Sequence, residues 1–179
     1  REWFEGQVNA ATMRVSQVPL SEASPWGLQE DGYRFGRPGG GFFSLVGVEI
    51  TSGREEREVH SWKQPLLREA NGPGVVVLAC REYEDQDGWE YLVSAKSEPG
   101  NDTPKGLILV PSLQASLSNL QQAHGGKRPP RAELFDLVEQ QGKWSSQPKD
   151  GARFYHKTDR YAVVEVELVD VLTLPVVVV

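Results

Sequence analysis

At 179 residues the chain fits one domain and has room for a sizeable core. Its 39% apolar and 25% charged residues exclude the low-hydrophobicity, high-charge regime of disorder. A net charge of −6 argues against nucleic acid or an anionic membrane surface as partner, because both call for clustered Lys and Arg; only the basic run 126–131 stays open as an anion contact.

Residues 1–14 carry no clear hydrophobic period and read as an unassigned N-terminal arm. They lack the charged-then-apolar layout of a secretory signal, and no window approaches the ~18 consecutive apolar residues of a membrane span. The expectation is a soluble, cytoplasmic protein. Residues 19–22 start a short helix with Ser21 as cap, which Pro25 stops within about a turn. Strands over 33–35 and 42–50 flank Gly39, Gly40 and Gly41; with no Gly-Lys-Ser/Thr following and a strand next, the triglycine reads as a turn rather than a phosphate loop. After a charged loop over 51–58, residues 60–65 place Trp62, Lys63 and Gln64 just before a proline. Spacing alone makes this an edge strand with a half-buried indole.

Residues 75–82 and 89–96 form the clearest strand pair, joined by an acidic turn over 84–88, with Trp89, Tyr91 and Val93 on the apolar face. The single cysteine, Cys80, lies in this buried run, so an internal disulfide is excluded and a small core side chain is expected. Pro99, Gly100 and Asn101 form a turn, and 106–111 return to the core as a strand. Residues 112–124 read as a helix opening at Ser112, with Leu113, Leu117 and Leu120 on one stripe and Gly125 and Gly126 as terminator. Its flank of Gln114, Ser118, Gln121 and Gln122 carries no charge, which favours a buried or ligand-facing position. A second helix spans 131–141. Residues 152–155 and 161–171 read as a hairpin with 157–160 at its tip, and 176–179 as a last strand or a frayed tail. Many strands with two or three helices and no βαβ alternation imply an α+β domain with a largely antiparallel or mixed sheet. The three histidines, His60, His124 and His156, have no His or Cys partner at ligand spacing, so no metal site is expected.

The stretch 95–126 concentrates polar groups around the short apolar run LILV. Polar side chains that pair only with one another are expensive to bury, whereas those lining a pocket are satisfied by ligand or water. The stretch therefore reads as a binding site.

Six blocks then occur in order: GGGFFSLVGVEI, SWKQP, AKSEPGN, PSLQASLSNLQQAHGG, RPPRAELF and DGARFYHKTDRYAVVEVE. In these the chain resembles the NDP-hexose 2,3-dehydratases of deoxysugar biosynthesis, which act on dTDP-4-keto-6-deoxyglucose, from about residue 15 to 168. The resemblance implies a single Nudix-like module over 15–179, with a curved mixed sheet and a nucleotide-sugar pocket but without the glutamate-rich Nudix helix that holds magnesium. Family members usually carry two modules in tandem, so a homodimer that reproduces the pairing is implied. The chemistry is elimination of water across C2–C3 of an NDP-4-keto-6-deoxyhexose. The C4 ketone acidifies the C3 proton, and no redox cofactor is needed.

Such a reaction wants a tuned base, donors at the developing enolate oxygen and a proton source near C2. The resemblance points to Lys96, Glu98, His124 and Tyr155 as catalytic. Trp62, Gln64, Asn101, Gln114, Ser118, Asn119, Arg153 and Arg160 are implied as substrate-binding, with a dTDP-linked sugar as the ligand. Plainer readings stand beside these: Glu98 capping a turn, His124 closing a helix, Lys96 as an edge charge, and Arg153 and Arg160 as surface charges. The chain also departs from the family pattern. Relatives typically carry arginine at Leu117, tyrosine at Leu120, often arginine at Gln122, and serine-glutamate at Pro148 and Lys149. Three functions follow from this: a 2,3-dehydratase, a non-catalytic sugar-nucleotide binding module, or a lyase or isomerase acting on another ligand.

Overall fold

The computed structural model describes residues 1–53, 55–69, 72–82, 87–122 and 125–166. The architecture is α+β, with two open sheets. The first is antiparallel, in the order β1 (Gly27–Leu28), β2 (Arg34–Gly36), β3 (Ser44–Thr51), β4 (Ser61–Arg68). The triglycine lies in the connection before β3, with all three residues at positive φ, as a turn requires. The second sheet is mixed and centred on β5 (Gly74–Glu82). One flank holds β10 (Thr158–Glu165), parallel to β5, followed by β9 (Ser145–Pro148).

The other flank of β5 is shared by two strands. β6 (Trp89–Ser97) pairs with β5 from Ala79 to Glu82, then departs to pair with β7 (Leu107–Pro111). β8 (Leu113–Ser116) takes its place along Gly74 to Val77. β5 is hydrogen-bonded on both edges and buried on both faces, Val75, Val77 and Ala79 on one and Gly74 and Cys80 on the other, so it reads as the continuous apolar run GVVVLAC. Val75, Val77 and Ala79 face Leu134 and Val138 of α3 (Glu133–Gln141) in the main core, with Leu92, Leu113, Leu120 and Val164. Glu133 and Asp136 complement the dipole in the first turn of α3, and Gly142 ends it in the left-handed region.

Four expectations change. The helix expected over 112–124 is a strand, β8, followed by one helical turn, α2 (Leu117–Leu120). Leu113 and Ala115 are buried with period two against β5, whose edge has no other partner there, and Ser116 rather than Ser112 caps the helix, accepting from the Asn119 amide at 3.2 Å. Among the described residues, the hairpin expected over 152–171 does not form. Phe154 bridges Leu67 of β4, while Thr158, Asp159 and Arg160 lie inside β10. Their charge reads as a turn because their partners are far away in sequence: Asp159, 1% exposed, accepts from the Gly74 amide at 2.9 Å and pairs with Lys149 at 3.0 Å. On β6 the buried face is that of Glu90 and Leu92, and Trp89 is 40% exposed, because Arg81 pairs with Glu90 directly across the ladder. Ser21 sits inside the 3₁₀ turn Leu20–Glu22 and does not cap it.

The arm left unassigned contains α1 (Glu2–Ala10), whose Asn9 carbonyl accepts from the Lys105 ammonium at 3.2 Å. The strand or tail expected over 176–179 lies outside the described residues. None of the described helices is long and apolar enough to cross a membrane.

Candidate functional site

The site begins where β6 leaves β5. Ala79 and Leu92 are the last register partners of those strands, and the Ser112 hydroxyl is inserted between them, accepting from the Ala79 amide at 2.7 Å and donating to the Leu92 carbonyl. Two residues beyond Leu92, Ser94 Oγ donates to the Ser112 carbonyl at 3.1 Å and accepts from Arg131 Nη1 at 2.7 Å. The divergence of β6 and β7 from β8 opens a cavity of about 540 Å³, roofed by the N-terminus of α1 on one side and the segment before α3 on the other. That volume suits a drug-sized or nucleotide-sized ligand.

Of the residues expected from sequence, the cavity brings together Lys96, Gln114 and Asn119. Lys96 Nζ lies 2.7 Å from Glu98 Oε1, which puts Glu98 beside the cavity without lining it. The Glu98 loop is closed by its own backbone. The Glu98 amide donates to the Gly106 carbonyl at 3.0 Å, and the Asn101 side chain donates to the same oxygen at 3.3 Å. Asn101 therefore holds the loop that carries Glu98. Gly106 has φ +66, and a Cβ there would meet the Glu98 carbonyl oxygen at 2.3 Å, so only glycine fits. Ser118 is buried and shares a hydrogen bond with Ser116 Oγ at 2.8 Å.

Other expected residues lie elsewhere. Tyr155 and Arg160 line a second cavity of about 320 Å³, with His156, Lys157 and Glu69. There Tyr155 stacks on His156 at 4.2 Å, Lys157 pairs with Glu69, and Arg160 pairs with Glu139 at 2.6 Å while lying over the Trp144 ring. Trp62 donates to Gln64 Oε1 at 2.9 Å and Gln64 to the Ala152 carbonyl at 3.2 Å, while exposed Arg153 pairs with Asp150 at 3.0 Å. His124 lies outside the described residues.

The cavity beside Lys96 is electrostatically one-sided. Its charged lining residues are Lys96, Lys127, Arg128 and Arg131, with no carboxylate among the described ones, in a chain of net charge −6. Burial pushes the Arg131 guanidinium below the ordinary arginine range, and the Asp136 carboxylate raises that of Arg128. Among the described residues no three His, Cys, Asp or Glu side chains gather to hold a metal ion. Sequence reasoning missed Trp3 and Gln7, because the period of α1 is too weak to read, and placed Arg131 in a helix. The signal that was available was the basic run before α3.

The positions that depart from the family pattern line neither cavity. Leu120 belongs to the core, Leu117 packs against that core and faces Gly72, and Gln122 donates to the Gly126 carbonyl at 2.9 Å.

Comparison with known proteins follows the same line. The chain is 30% identical over 173 residues to the dTDP-4-dehydro-6-deoxy-alpha-D-glucopyranose 2,3-dehydratase of Streptomyces violaceoruber, covering 91% of this chain and 35% of the relative. It is 30% identical over 169 residues to the enzyme of that name from Saccharopolyspora spinosa, covering 92% and 33%, and 27% identical over 179 residues to that of Amycolatopsis orientalis, covering 92% and 35%. The chain thus spans about a third of the length of the curated relatives it matches. The model of the NDP-hexose 2,3-dehydratase family matches residues 1–175, and the chain belongs to that family.

Proposed function

We propose that this chain is a sugar-nucleotide 2,3-dehydratase module, eliminating water across C2–C3 of an NDP-4-keto-6-deoxyhexose, with a dTDP-linked sugar as substrate. The observation that carries the reading is the cation-lined cavity that joins Gln114 and Asn119 to the Lys96–Glu98 pair. An anionic nucleotide diphosphate suits the cations, and the amides suit sugar hydroxyls. In this reading Glu98 takes the C3 proton, and the electron pair moves onto the C4 oxygen, where the Lys96 ammonium stabilises the enolate. The enolate then expels the C2 hydroxyl, which leaves as water with the proton Glu98 carried, and the C3 enol tautomerises to the 3,4-diketo sugar. Protons and electrons balance without an external oxidant. A homodimer, a cytoplasmic location and a Nudix-like relationship of the fold belong to the same reading.

A second reading is a binding module without chemistry. It is favoured by the absence of any carboxylate or imidazole among the described residues that line the cavity. One experiment separates the two. Incubation with dTDP-4-keto-6-deoxyglucose, a 3-ketoreductase and NADPH is expected to oxidise NADPH in proportion to enzyme. No turnover at high enzyme concentration, with calorimetric binding of dTDP retained, selects the binding module.

A further inference from the structure

Arg131 is 7% exposed and sits in the cavity wall. Its protein hydrogen bonds all leave from one nitrogen: Nη1 donates to the Val93 carbonyl at 3.2 Å and to Ser94 Oγ at 2.7 Å. The Nε atom is buried without a partner. Nearby cations differ: Arg128 is held bidentate by Asp136 at 3.0 and 3.1 Å, and Lys96 by Glu98 at 2.7 Å. Among the described residues no carboxylate reaches Arg131 as an ion pair, and Glu133 acts on it only from a distance.

A buried, unpaired charge is costly, and arginine does not relieve the cost by giving up its proton. The backbone adds to the constraint, because Arg131 holds φ +61 directly after Pro129 and Pro130. Such strain persists where the surroundings over-determine a side chain's position. The α1 side of the same cavity contains a second buried donor without a partner, the Trp3 indole Nε1. Both orphaned atoms are donors only, so what satisfies them is a group rich in acceptors. A diphosphate is such a group, and a guanidinium edge grips it in two-point geometry.

We propose that Arg131 is the anion anchor of this cavity, holding the diphosphate of the ligand on the Nε–Nη2 edge that Val93 and Ser94 leave free. The proposal rests on the reading of the cavity as the nucleotide-sugar site. It places the phosphates against α3 and leaves the sugar toward Lys96.

The test is calorimetry of the full chain and of Arg131→Met and Arg131→Lys with dTDP, thymidine and inorganic pyrophosphate. The expected result is a loss of at least tenfold in dTDP and pyrophosphate affinity in R131M, little recovery in R131K, and unchanged weak thymidine binding. Equal dTDP affinity in the parent chain and R131M overturns the anchor and leaves the cavity reading standing. Arg131-dependent pyrophosphate binding without dTDP binding supports the anchor and overturns that reading. No binding of any probe overturns both. Because R131M loses two internal hydrogen bonds, folding is checked by circular dichroism. If the variant does not fold, crystals of the parent chain soaked in pyrophosphate decide: a phosphate oxygen within hydrogen-bond distance of Arg131 supports the anchor, and its absence there overturns it.

Discussion

The hydroxyl of Ser112 stands between Ala79 and Leu92, taking the amide hydrogen of one and giving its own to the carbonyl of the other. It closes the ladder at the point where β5 and β6 separate, and that separation makes the cavity. Ser112→Ala leaves both buried backbone groups unsatisfied and is expected to destabilise the protein by about 2–4 kcal/mol in urea unfolding. Ser116→Ala, which removes only the cap of α2, is expected to cost about 1 kcal/mol. The reverse order would mean that Ser112, not Ser116, starts the helix.

Lys96 and Glu98 are each partly exposed, so their pairing contributes about 0–1 kcal/mol to stability. Glu98→Gln therefore separates chemistry from folding. The expectation is a fall in kcat of roughly 10²–10⁴ with an unchanged melting temperature. A variant that turns over at the parent rate removes Glu98 from the proton transfer.

Asp159 caps the start of β5 and neutralises Lys149 and Lys157, the latter at 3.6 Å. Asp159→Asn keeps the shape but removes the countercharge from half-buried Lys149 and leaves Lys157 with Glu69 alone; a loss of about 1–3 kcal/mol is expected from thermal or urea unfolding. Gly74→Ala places a Cβ 2.5 Å from Asp159 Oδ1, where little can shift, and is expected to lose about 1–3 kcal/mol. Either variant unfolding at the parent midpoint contradicts the geometry of this joint.

Burial, with the Glu165 carboxylate as the smaller cause, raises the Cys80 thiol above its ordinary range. Between the ordinary value, about pH 8.5, and the raised one, the unfolded chain releases the thiol proton and the folded chain keeps it. The stability contributed by this group is thus complete below about pH 8.5 and is lost as pH rises through the folded value. Cys80→Ala should flatten that part of the pH profile relative to the parent chain. Cys80 should also resist a thiol reagent at about pH 8 until denaturant is added.

Wherever the pattern of a segment and the demand of its neighbours agreed, the sequence sufficed. The β-branched run of β5, the Pro99–Asn101 turn and the terminal Gly142 of α3 carry their own structural reasons. The segment 112–124 failed that test. Leu113, Leu117 and Leu120 satisfy a helical stripe as well as Leu113 and Ala115 satisfy a strand, and only the unfilled edge of β5 decides between them. In the same way Glu90 and Asp159 read as solvent-facing until Arg81 and Lys149 are found across the sheet.

For the site, the sequence by itself determined the family and singled out the stretch 95–126 as the expected binding segment, because both readings depend on local order and residue type. Which of the twelve expected residues share a cavity was decided by tertiary structure alone. The cavity exists because two strands diverge, and its charge comes from segments far apart in the chain, around Lys96 and Arg131. No spacing rule encodes such a meeting, since it depends on how β6 leaves β5 and on Arg131 finding Ser94 and Val93 instead of a carboxylate.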